Sequence, residues 1–240
     1  MEEKLSGIVI GGVNFGESDK ILNVFTLEQG VVSAKIRGVK KAGAKLKFAS
    51  EPFCFAEFVF SKRADRRTVI GASLIDSFYP LREDILRYYA GSVVLEFLRK
   101  FQKENIVSKE MFMLPVSTLK DLAYSEKDVK SVLVGFLLKA LKSVGYALRL
   151  NGCCSCGKNI SGRTYFDYNC GGFFCEECKT EQAREINLST YQTLLLNWLG
   201  KAAEEENLIK VLRLLNFYIV NKTEENIKTL TELLKILNKV

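Results

Sequence analysis

The apolar residues of this chain change period once, near Pro80, and that change separates a strand-built part from a helical part. Before it, short runs rich in Val, Ile and Phe at Leu5–Val13, Lys20–Leu27, Val31–Arg37, Pro52–Phe60 and Thr68–Asp76 are divided by Gly or charged turns, the signature of strands joined by tight connections. Five strands with a long connection between the third and fourth predict a five-stranded OB-type barrel. An SH3-like barrel is the competing arrangement. In the fourth run Phe53, Phe55, Phe58 and Phe60 change parity, which predicts a bulge or burial on both faces. After Pro80, Ile85, Tyr89, Val93 and Phe97 recur every four residues, as along one helix face. Ser108–Tyr124 should form a second helix, with Pro115 kinking it or marking its start. A third is expected from a Ser125-x-x-Asp128 capping box to about Leu150. Helices then resume, one capped by Ser189-x-x-Gln192 and carrying Trp198, then Leu208–Val220 and Glu224–Lys239.

Between these helices lie Cys153-x-x-Cys156 and Cys175-x-x-Cys178, the pairs 18 residues apart. Each CxxC turn presents two thiolates to one ion, and two such turns complete the tetrahedron that structural Zn²⁺ adopts. Gly157 follows the first pair and Gly171-Gly172 precede the second, where the backbone must turn sharply. A dithiol redox centre needs only one CxxC near a βαβ pattern, which is missing here. Paired disulfides need an oxidising compartment, and an odd total of 7 cysteines argues against a disulfide framework. Cys54, among aromatics, reads as a small buried hydrophobe; Cys154 and Cys170 are close enough in sequence to serve as substitute ligands. Four closed thiolate ligands leave no open position, so a single zinc here is structural, contributing on the order of 10 kcal/mol to folding of its lobe. The chain is therefore expected to be α+β and multidomain: 1–79 an OB-type barrel, 80–150 and 181–240 a helical domain, and 151–180 an inserted four-cysteine zinc lobe, with a strand at Arg163–Tyr168.

Composition limits what this architecture can serve. A 48% apolar fraction is ample for a core, and no uninterrupted apolar run reaches the ~18 residues needed to span a bilayer. The start, Met1-Glu2-Glu3-Lys4, carries no apolar run, so no signal peptide, no membrane association and a cytoplasmic location are expected. The sequence has no histidine, which excludes a Ser-His-Asp triad or a His base. It also has no phosphate-binding glycine loop. An enzyme is not expected.

The net charge of +7 is concentrated. The connection after the third strand holds Lys35, Arg37, Lys40, Lys41, Lys45 and Lys47 with no acidic residue, and the turn after the fourth strand adds Lys62, Arg63, Arg66 and Arg67 against Asp65 alone. In an OB fold the nucleic-acid groove crosses the second and third strands between the loops that follow strands one and four. Both clusters fall on or beside that groove, meeting at one end of the barrel, where phosphate neutralisation drives salt-sensitive, sequence-independent binding. Phe15, Phe48 and Tyr79 lie nearby as base-stacking candidates, although the core is the expected place for each. Gly16-Glu17-Ser18-Asp19 reads as a turn in which Ser18 and Asp19 bond backbone amides.

Taken together, Gly7-Ile-Val-Ile10, Phe15-Gly-Glu-Ser-Asp-Lys-Ile-Leu22, Thr26, Gly30, Arg37-Gly38 and Pro52-Phe53, followed by Cys153-x-x-Cys156-Gly157 and Gly171-Gly172-x-x-Cys175-x-x-Cys178, resemble the bacterial RecO family of DNA repair proteins. The resemblance implies an OB domain, a helical domain and a zinc lobe. It further implies a recombination mediator that binds and anneals single-stranded DNA, with double-stranded DNA left open. With RecR, such a mediator helps load RecA onto strands coated by single-strand-binding protein, whose acidic C-terminal tail docks on the helical domain. The competing reading is a zinc-ribbon interaction module that recruits repair or replication partners with only incidental DNA binding.

Overall fold

The computed structural model describes residues 1–64, 66–102, 108–201 and 203–238; Asp65, the acidic residue of the second basic turn, and Lys239, the expected last helical residue, lie outside them. The chain forms two compact units, Met1–Ser125 and Glu126–Val240.

In the first unit, β1 (Glu2–Phe15), β2 (Asp19–Thr26), β3 (Gly30–Ile36), β4 (Phe55–Arg63) and β5 (Arg66–Asp76) close into a barrel in the order β1-β2-β3-β5-β4. All pairings are antiparallel except β3 with β5, which run parallel at Lys35↔Thr68 and Ile36↔Val69. A simple meander has no parallel pair, so the β3–β4 connection must cross the barrel, giving the OB-type closure rather than the SH3-like one. Alternate residues point inward: Leu22, Val24, Val32, Ala34, Ile36, Phe58, Phe60 and Val69 form the core. The parity change in β4 has both predicted consequences. Its register against β5 shifts at Phe55/Ala56 and at Val59/Phe60. Ala56, Phe58 and Phe60 then fill the barrel, whereas Phe55 turns out to meet Phe112, whose ring centroid is 6.0 Å away.

Phe112 belongs to α2 (Lys109–Tyr124), which packs with α1 (Ile85–Phe101) in the same unit as the barrel. Asp84 and Ser108 cap these helices, accepting from the Arg87 and Met111 amides at 2.8 and 3.2 Å. Pro115 lies buried inside α2 rather than at its start. Burying a side chain the size of Phe112 contributes about 2–3 kcal/mol, which anchors α2 to the outer face of β2 and β4 through Phe25 and Phe55.

The second unit contains α3 (Val129–Ser143), α4 (Leu188–Trp198), α5 (Glu205–Thr223) and α6 (Lys228–Leu237), with a three-stranded sheet ordered β7-β6-β8 from β6 (Thr164–Asp167), β7 (Gly172–Cys175) and β8 (Arg184–Ile186). The helix expected to reach Leu150 stops at Ser143. Gly145, at φ +88°, reverses the chain, and the bonds Gly145 N–H to Lys142 C=O (3.2 Å) and Tyr146 N–H to Leu141 C=O (2.8 Å) satisfy the terminal carbonyls, forming a Schellman closure. The Ser125-x-x-Asp128 capping box does not form. Asp128 is itself the cap, while the Ser125 hydroxyl bonds back to the Asp121 carbonyl at the end of α2. Ser189 is no cap either, because α4 begins one residue earlier at Leu188, and its hydroxyl meets Asn207 Oδ1 at 3.1 Å. The last helix starts at Lys228 instead of Glu224, which takes a left-handed φ of +61° and ends α5. Among the described residues, no helix is long and apolar enough to cross a membrane.

Candidate nucleic-acid interface and metal centre

The β1–β2 turn, Gly16–Ser18, organises the basic connection between β3 and β4. Asp19 Oδ1 accepts the Gly38 amide at 2.8 Å, and the Ser18 carbonyl accepts the Lys40 amide at 3.0 Å. At the far end of the connection, Lys20 Nζ reaches Ser50 at 3.5 Å and Glu51 at 3.7 Å. Between these anchors the backbone folds into successive turns, with bonds such as Ala44 N–H to Lys41 C=O and Lys47 N–H to Ala44 C=O. Val39 and Ala49 are buried in the barrel core, with Leu46 and Phe48 packed against it. The apolar residues thus point inward, and Arg37, Lys40, Lys41, Lys45 and Lys47 are left exposed. A segment that reads as a loop in sequence is an ordered shelf of cations.

Asp19 is held down to a pKa of about 2, mainly by the Gly38 amide and then by Lys35. A depressed carboxylate stabilises the fold above its unfolded pKa, near 4, and this contribution disappears as pH falls through about 2. Asp19→Ala should therefore speed hydrogen exchange at Gly38 and Lys40 at neutral pH without touching the core strands. Wild-type protein should show the same loosening only between roughly pH 4 and pH 2. Unchanged exchange at Gly38 in the variant would remove Asp19 as the anchor.

Two of the ten basic candidates are committed within the fold. Lys35 Nζ sits 2.9 Å from Asp19 and 4.4 Å from the Phe15 ring centroid. Arg67 binds Glu3 Oε1 and Gln29 Oε1, both at 2.6 Å, tying β5 to the start of β1 and the β2–β3 turn. Burial opposes ionisation of Glu3, but bonds from Arg67 and Gln29 outweigh it and keep its carboxyl below the usual range. At the β4–β5 hairpin, Lys62 opposes Arg67 and Arg63 opposes Arg66. Like charges directly across a strand pair repel, so this tip gains from an anion. Arg63 and Arg66 are exposed, Lys62 half-buried.

The clusters do not meet at one end of the barrel. Because β3 and β5 are parallel, the chain enters their seam from the hairpin and leaves it into the connection, so the basic segments flank the seam from opposite sides. Of the aromatics, Phe48 packs on the core as expected, while Phe15 and Tyr79 are 48% and 60% exposed. Sequence reasoning missed Glu3, Gln29 and Lys20, whose partners arrive from distant segments.

In the second unit, the sulfurs of Cys153, Cys156, Cys175 and Cys178 lie within 4.8 Å of one another, an arrangement that could hold a metal ion. Cys156 and Cys175 are 4.0 Å apart, against about 3.8 Å between ligands of a tetrahedral zinc–thiolate site. The first turn closes through Cys153 N–H to Lys158 C=O and Gly157 N–H to Cys153 C=O, both 2.9 Å, with Gly157 at φ +72°. Burial pushes the Cys153 thiol up, but the backbone amides of Cys156, Cys175 and Ser155 outweigh it and bring it to about 6. Cys178 is pushed up to about 12, chiefly by its hydrogen bond with Cys175. Four sulfurs this close cannot all ionise without a cation among them, and the set fits a soft divalent ion. Cys154 and Cys170 are not part of this cluster.

Beside it, a cavity of about 470 Å³ is lined by Leu138, Lys142, Leu148, Arg149 and Trp198, among others. Lys142 Nζ lies 5.4 Å from the Trp198 ring centroid. Among the described residues its lining joins apolar and cationic side chains with no acidic one, a feature that no short motif announces.

Two family profiles match the chain, the second beginning at the helices that follow the barrel. Residues 1–78 match "Recombination protein O N terminal", and residues 82–231 match "Recombination protein O C terminal". The chain belongs to the RecO family. RecO proteins act in DNA repair and recombination. The DNA repair protein RecO of Caldicellulosiruptor saccharolyticus is 30% identical over 234 residues, covering 95% of this chain and 96% of that protein. The RecO of Clostridium acetobutylicum is 30% identical over 203 residues (85% and 81%), and that of Acetivibrio thermocellus 28% over 196 (82% and 78%).

Proposed function

We propose that this RecO-family chain binds single-stranded DNA across the β2–β3 face of its barrel and anneals complementary strands. With RecR, it promotes RecA loading onto strands coated by single-strand-binding protein. The observation that carries this reading is the ordered shelf of Arg37, Lys40, Lys41, Lys45 and Lys47, facing across the β3–β5 seam the opposed cations of the 62–67 hairpin. These groups carry no ion pair with another described residue apart from Arg67. Phosphates from two strands bound there would be screened from one another, which lowers the repulsion that opposes pairing. Exposed Phe15, with Lys35 over its ring, is placed to stack a base.

In this reading residues 1–79 are the DNA-binding domain, 80–150 and 181–240 the helical domain, and 151–180 a lobe folded on one structural zinc. The acidic tail of single-strand-binding protein docks in the Lys142–Trp198 cavity, whose cations and apolar walls suit a carboxylate-rich peptide with an apolar end. The protein acts in the cytoplasm, at the nucleoid, and catalyses no bond cleavage.

The test is annealing of complementary strands coated by single-strand-binding protein. The chain should accelerate it, more so with RecR, and leave strand length intact in Mg²⁺. Coating protein without its tail should lose the acceleration, and tail peptide should shift fluorescence of Trp198, the single tryptophan of the chain. Tight RecR binding with neither DNA affinity nor annealing would instead favour an interaction module.

A further inference from the structure

Two of the seven cysteines lie beside the metal cluster without joining it. Cys154 follows Cys153, and Cys170 precedes the Gly171-Gly172 turn into β7. Their segments are held together by the Cys154 N–H bond to the Phe173 carbonyl and the Arg149 N–H bond to the Gly171 carbonyl, both 2.8 Å. Both sulfurs lie over Gly172, with Cys170 Sγ donating to the Asp167 carbonyl at 3.7 Å. The position a Cβ on that residue would take is 2.2 Å from Cys154 Sγ and 3.4 Å from Cys170 Sγ. Any side chain at 172 would displace the Cys154 thiol, so the glycine leaves room for both thiols on the same side of the β7 entry. Both cysteines are free and half-buried, and Cys154 forms part of the wall of the Trp198 cavity.

We propose that Cys154 and Cys170 form a reversible oxidation site, at which a hydroperoxide joins the two thiols as a disulfide while the metal-directed quartet stays reduced. One thiol loses its proton, attacks the peroxide and breaks the O–O bond, giving a sulfenic acid and releasing water or an alcohol. The second sulfur then displaces hydroxide, which leaves as water with that thiol's proton. Two electrons pass from the sulfurs to the peroxide, and a dithiol reductant reverses the change. A bound ion would hold the quartet sulfurs as its ligands, whereas Cys154 and Cys170 lie outside that set. The disulfide would tie the first CxxC turn to the β6–β7 turn and stiffen one wall of the cavity. This chemistry does not depend on the DNA-binding reading.

The test uses the zinc-loaded full chain, titrated with hydrogen peroxide, digested and weighed by mass spectrometry while released zinc is followed with a chromogenic chelator. A linked Cys154–Cys170 peptide, lighter than the two free peptides by two hydrogens, should accumulate before any zinc is released and disappear with dithiol. Cys170→Ser should retain its zinc and lose the linked peptide. Zinc release at the same peroxide dose as the first thiol loss would overturn the proposal. So would a two-hydrogen loss that persists in Cys170→Ser.

Discussion

Cys175→Ser is expected to leave the second unit without a cooperative melting transition, while the barrel unit still melts. Cys175 ends β7 and supplies one of four sulfurs within 4.8 Å of one another; without it the remaining three cannot close a tetrahedron. A structural zinc contributes on the order of 10 kcal/mol, comparable with the whole stability of an ordinary domain. The loss should spread beyond the lobe because its small sheet is packed into the helices. Phe173 of β7 lies 4.7 Å from the Tyr191 ring of α4, and Phe166 of β6 lies 5.9 Å from Tyr218 of α5. Wild-type protein should hold about one zinc per chain, and strong chelation should reproduce the variant. A Cys175→Ser chain with an unchanged melting profile and no bound metal in the wild type would show that the quartet is not a folding element.

The second large effect is on DNA affinity. Lys40→Glu, Lys41→Glu, Arg63→Glu and Arg66→Glu combined should weaken single-stranded DNA binding on the order of a hundredfold or more at low salt, and flatten its salt dependence by about 3 in log–log slope. All four side chains are exposed, and none is paired with another described residue, so the barrel should melt normally. Arg67 is left out deliberately. Its bonds to Glu3 and Gln29 hold three strand ends together, and its reversal would confuse unfolding with lost binding. Wild-type affinity, slope and annealing in the folded quadruple variant would place the DNA elsewhere.

Local signals in the sequence were legible where the physics is local. The period of apolar residues follows from side-chain geometry along a strand or helix, so the barrel strands and α1, Ile85–Phe101, could be read directly. Boundaries were less legible where a single backbone conformation decides them: α3 ends at Ser143 because the chain reverses at Gly145, and α4 starts before its apparent Ser189 cap. Tyr79 reads as an ordinary core aromatic, yet it sits 60% exposed in the short turn between β5 and α1.

What the sequence determined by itself is the chemistry available: four thiols at ligand spacing, ten cations in two clusters, no histidine, and a change from strand to helix near Pro80. What only the tertiary structure decided is which of those groups remain free to act. Arg67 is neutralised by Glu3, 64 residues away in the chain, and Lys35 by Asp19. The exposed cations owe their ordered positions to turns anchored by Ser18, Asp19 and Lys20. The reason is that charge pairing depends on distance through space, which strand register sets, and register is settled by the packing of the whole barrel rather than by any one segment.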